Sequence, residues 1–105
     1  MLDELLILKK IKEGDIKAFE ELFRRYYFPL CCYAAGITGQ MAVAEEIVEE
    51  LFYVLWKERE RLQIFQSVKS YLYRATRNQS LQYCEHEEVR NRYREAVLNL
   101  SLIHI

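Results

Sequence analysis

The chain has 105 residues, 51% of them hydrophobic and 30% charged, with a formal net charge of −1, which is the size and balance of one globular domain with a modest core. Three Gly and one Pro are too few for the turns of an all-β domain, no apolar run nears the roughly 18 residues of a membrane span, and the acidic opening Met1-Leu2-Asp3-Glu4 is unlike the basic start of a signal peptide. Cys31, Cys32 and Cys84 suggest neither a disulfide framework nor the paired spacing of a zinc site, so a cytoplasmic protein without cofactor or membrane partner is expected.

Helices are predicted along the whole chain, with no internal repeat. The first covers about residues 2–13, with Leu2, Leu5, Leu6, the Lys9 stem and Ile11 on one inner side. Gly14 breaks it, and Asp15 supplies an N-cap because its carboxylate can accept from the first free backbone N–H groups. The second helix follows over about 16–35, where Phe19, Leu22, Phe23, Tyr26, Leu30, Tyr33 and Ala34 recur at three and four residues. Pro29 lies inside that run and is expected to kink or split it. Gly36 to Gly39 end it. A third helix over about 41–59 has Ala44, Ile47, Val48, Leu51, Phe52 and Leu55 on its buried stripe, with Glu45, Glu46, Glu49 and Glu50 projecting away. Arg61 to Gln66 form a short loop, and Ser67 is the predicted cap of a last helix from Val68 to about Leu98. Its inner stripe is Val68, Tyr71, Leu72, Ala75 and Gln79. The fold class is therefore all-α, a compact bundle of about four helices.

Charge is unevenly spread. Residues 1–66 hold nine Lys/Arg against twelve Asp/Glu, whereas residues 67–105 hold six against four. Between Arg61 and Cys84 lie Arg61, Lys69, Arg74 and Arg77 with no acid, directly after a helix rich in Glu. Two oppositely charged helices suit two different partners, although solvated charge on either helix is the plainer explanation. No Gly-rich phosphate loop, metal-ligand spacing or nucleophile–base set is present, so an enzyme is not expected.

Three ordered motifs sharpen this picture. Gly14-Asp15-Ile16-Lys17-Ala18-Phe19 with Arg25-Tyr26-Tyr27-Phe28-Pro29-Leu30 resembles the opening of sigma factors of the extracytoplasmic-function group of bacterial RNA polymerase. Ala44-Glu45-Glu46-Ile47-Val48-Glu49-Glu50-Leu51-Phe52 with Leu55-Trp56 is similar to that family's polymerase-binding helix. Ser70-Tyr71-Leu72-Tyr73-Arg74-Ala75-Thr76-Arg77-Asn78 resembles its promoter-reading helix. The resemblance, to region 2 of the sigma-70 family, implies a transcription initiation domain. It implies docking of Glu46, Glu49, Glu50 and Phe52 on the coiled coil of the polymerase β′ subunit, and recognition and melting of the single-stranded minus-ten promoter element.

For DNA the resemblance points to Arg61, Phe65, Lys69, Tyr73, Arg74, Arg77 and Asn78, since aromatic rings hold unstacked bases while Lys and Arg follow phosphates. The family's base-capturing loop corresponds to Leu62 to Ser67, and Tyr71 and Leu72 are expected in the core. Asn78 can meet a base edge or tie its helix to a neighbour. An anti-sigma factor is a further partner that the resemblance admits. Glu49 stands where the family usually has Gln, and Glu85, Glu87 and Glu88 interrupt the basic run. These departures leave room for a helical protein-interaction module of the same fold without DNA binding. Residues 1–98 are expected to form the domain. Residues 99–105 read as a short apolar tail, a truncation before a helix-turn-helix domain.

Overall fold

In the computed structural model the described residues are 4–63 and 67–103, with side chains as far as residue 101. Four helices and one short turn follow in order: α1 (Glu4–Lys12), α2 (Ile16–Thr38), α3 (Met41–Lys57), a 3-10 turn (Arg59–Arg61) and α4 (Val68–Ile103). The break between α1 and α2 is built as the residues suggest. Gly14 takes φ +90°, a left-handed conformation that suits glycine. The Asp15 carboxylate then accepts from the backbone N–H of Lys17 at 3.0 Å and Ala18 at 3.3 Å. Ser67 caps α4 in the same way, its hydroxyl accepting from Ser70 N–H at 3.1 Å.

Pro29 does not split α2, which continues without interruption to Thr38. Pro29 and Arg25, the residue whose carbonyl loses its donor, are both exposed. Water can satisfy that carbonyl, while Leu30, Cys31 and Ala34 hold the opposite face in the core. Gly36 is accommodated inside the helix, and Gly39 (φ +77°) closes it by donating its N–H to the Ala35 carbonyl at 2.8 Å.

Helix α2 lies at the centre, packed by α1, α3 and α4. Its buried residues Leu22, Tyr26, Leu30 and Ala34 meet Ile7, Leu8 and Ile11 of α1, Ala44, Val48, Phe52 and Leu55 of α3, and Val68 and Leu72 of α4 in one core. The inner side of α1 differs from expectation: Ile7 and Leu8 are buried, whereas Leu5 and Leu6 are 41% and 42% exposed and Lys9 faces water. Glu4 fastens the start of α1 to α2, accepting from the Tyr26 hydroxyl at 2.6 Å and from Arg25 at 3.0 Å. Along α4 the buried line is Val68, Leu72, Thr76 and Ser80, at intervals of four. Beyond residue 87 every described side chain of α4 is exposed, so the helix projects from the bundle. The longest dimension is accordingly 66 Å against 24 and 22 Å across.

Candidate nucleic-acid and polymerase interfaces

On α3 the residues facing the core are small or apolar, which turns the glutamates outward. Glu45, Glu46, Glu49 and Glu50 are all exposed. Glu46 and Glu50, four apart, share one ridge of the helix, and Glu49 lies on the flank nearer α2. There its carboxylate accepts from the Tyr27 hydroxyl at 3.3 Å. Burial, with Glu49 nearby as a smaller contribution, pushes the Tyr27 phenol above its ordinary range. The expected docking residue Phe52 is not on this surface. It is 2% exposed, with its ring against the edges of Phe23 at 5.0 Å and Phe19 at 6.1 Å. Its role is to seat α3 on α2. Tyr53 and Val54, 59% and 43% exposed, are large apolar groups that α3 presents to solvent, together with Met41 at its start.

The expected DNA residues of α4 point in three directions. Arg74 and Arg77, three apart, stand exposed on its outer ridge. Lys69 is exposed, but Tyr73 is half-buried, its ring edge-on to Tyr33 of α2 at 5.1 Å. Tyr71, expected in the core, is 38% exposed and faces α3. The burial expected of the two tyrosines is thus reversed, because α4 packs its Tyr73 flank on α2 and leaves the Tyr71 flank open. Gln79, also expected inside, is exposed. Arg61 extends from the 3-10 turn with its guanidinium 3.2 Å from Glu58. Phe65 lies outside the described residues.

Between α3 and α4 runs a cleft of about 590 Å³ that no single motif announces. Val43, Ile47, Leu51 and Val54 form one wall, and Tyr71, Ala75, Gln79 and Tyr83 the other. Glu46, Glu50 and Asn78 also line it. Asn78 makes no side-chain hydrogen bond among the described residues, so the structure shows no tie from it to a neighbouring helix. The run 71-75-79-83, spaced by four along α4, is the signal that could have revealed this wall from sequence. Among the described residues no helix is long and apolar enough to cross a membrane.

A family model described as Sigma-70 region 2 matches residues 22–89, the stretch that holds most of α2, all of α3 and the packed part of α4. No curated protein matches the sequence. Among solved structures, the NMR structure of an engineered region 2 of sigmaE in complex with GTAAAA is similar, with a TM-score of 0.72 and 21% identity. The alignment covers 85% of this chain and 93% of that one, and at this identity it speaks for the fold.

Proposed function

This chain belongs to the sigma-70 region 2 family, and we propose that it acts as the promoter-opening domain of a bacterial sigma factor of the extracytoplasmic-function group. In this reading the α3 ridge of Glu46 and Glu50, with Glu49 beside it, docks on the β′ coiled coil of the polymerase core. Helix α4 meets the single-stranded minus-ten element. The polymerase performs the chemistry, and this domain is a non-enzymatic partner working in the cytoplasm.

The observation that supports the reading best is the opposition of charge on neighbouring helices. Glu46 and Glu50 of the exposed glutamate ridge line the cleft between α3 and α4, while Arg74 and Arg77 stand exposed on the outer ridge of α4. Arg74 and Arg77 suit phosphates, which dominate affinity for nucleic acid. Tyr71 and Asn78 offer a ring face and an amide for unstacked bases, and a surface opens DNA only if it prefers such bases to duplex. Since the similar solved domain is in complex with GTAAAA, an A-rich single strand is the expected ligand class.

Titrating the chain against labelled GTAAAA, single-stranded and as a duplex, tests this. The single strand should bind more tightly, and Arg74→Ala/Arg77→Ala should weaken it roughly tenfold at low salt. Equal affinity for both forms overturns the promoter-opening role, and no binding of the single strand, or a variant that binds as wild type, overturns the DNA role and leaves a helical interaction module as the account.

A further inference from the structure

Helix α1 touches both the 3-10 turn and α4, and this places a second basic surface next to the segment that leads into the promoter-reading helix. Lys9, Lys10 and Lys12 close α1. All three are exposed, and none forms an ion pair among the described residues. Lys9 and Lys12, three apart, share a side of the helix and line an open cleft of about 700 Å³ between α1 and Leu62-Gln63. Buried Leu8 and Leu62 supply part of its apolar floor. Of the two acids of α1 and its end, Glu13 lines the cleft as well. Glu4 is held at the other end by Arg25 and Tyr26, away from it. Lysines at a helix C-terminus also complement its dipole, but that effect falls off within the last turn and asks nothing of the loop opposite.

We propose that the α1 cleft carries the sugar–phosphate backbone of the DNA single strand where it continues beyond the minus-ten element, with Lys9 and Lys12 as its phosphate contacts. The proposal rests on the DNA reading above and extends the contact from α4 across the Leu62–Gln63 segment to α1. Cationic side chains along an open groove follow the phosphate backbone of a single strand, which is the sequence-tolerant, electrostatic part of such binding. The groove's open sides suit a polymer passing through better than an enclosed small molecule. Two added phosphate contacts on a single strand steepen the salt dependence by about 1.4 in log–log slope, at about 0.7 for each.

The test compares GTAAAA with the same oligonucleotide extended by three nucleotides at its 5′ or its 3′ end, using the full chain and its Lys9→Gln/Lys12→Gln variant. One extension should tighten binding to wild type, and this gain should shrink about sevenfold between roughly 50 and 200 mM salt. The variant should lose the gain while binding the unextended hexamer as wild type does. A gain that persists in the variant, or no gain from either extension while the hexamer binds, overturns the α1 path and spares the α4 reading. Failure of the hexamer itself overturns both. Circular dichroism of the variant checks that α1 remains folded.

Discussion

Phe52 and Tyr26 show how single side chains here do work that their motifs do not advertise. Phe52 sits within the cluster of Phe19, Phe23 and Trp56, where Phe19 and Trp56 are 5.0 Å apart. Its truncation leaves a cavity rather than a lost docking contact, so Phe52→Ala should cost about 3–5 kcal/mol in urea unfolding. A loss below about 1 kcal/mol would place Phe52 outside the core. Tyr26 is buried and donates to Glu4, and these two causes, burial first, push its phenol from 10.0 up to about 12. The folded state thus holds that proton more tightly than the unfolded state does. The resulting stability is fully present below pH 10 and is lost as pH rises from 10 towards 12. Alkaline unfolding should therefore steepen over that window in wild type relative to Tyr26→Phe. Superimposable pH profiles of the two would remove the phenol from the account.

At the scale of elements, the helix ends were the most legible feature and the long last helix the least. Asp15 and Ser67 cap where their chemistry says they should, because capping is local: one side-chain oxygen reaches N–H groups two or three residues on. Removing the first of these, Asp15→Ala, should cost about 1 kcal/mol of stability by thermal unfolding, and an unchanged midpoint would show the cap to be idle. The glutamates of α3 were also readable, since its apolar stripe Ala44, Val48, Phe52 and Leu55 leaves them one way to point. The stripe of α4 is legible only at its start, where Val68 and Leu72 are buried as expected. Thr76 and Ser80 are fully buried there, and Thr76 satisfies its hydroxyl on the Leu72 carbonyl at 2.8 Å. Small polar residues of this kind pack closely without any hydropathy signal, so the Thr76 and Ser80 part of the buried line is invisible in the sequence. In α1 the buried face is shifted in phase from the expected one, although Ile11 lies on both. Nine residues carry too few turns to separate Leu5 and Leu6 from Ile7 and Leu8, and only packing on α2 decides. At Pro29 the helix is not split for a tertiary reason, since the anchoring of Leu30, Cys31 and Ala34 outweighs the one lost hydrogen bond.

Across the whole molecule, the division of labour follows from where α2 lies. It takes the core faces of α1, α3 and α4, so the acidic ridge of α3, beside the cleft, and the basic outer ridge of α4 are left to solvent. The distal part of α4 takes no share in this. Because its described side chains beyond residue 87 are all exposed, removing residues 92–105 should lower the total helix signal yet shift stability by no more than about 0.5 kcal/mol. A large loss would mean that this segment packs on the bundle in solution.

The central claim, a sigma-type docking surface on α3, is tested most directly by titrating the chain with the isolated coiled coil of a bacterial β′ subunit. The same titration with Glu46→Arg/Glu50→Arg and with Glu49→Gln completes it. These three positions are exposed, so the variants should stay folded. Saturable binding by wild type and Glu49→Gln, abolished by the double charge reversal, is the predicted result. A folded wild-type chain that does not bind, or that binds equally well after the reversal, contradicts the account.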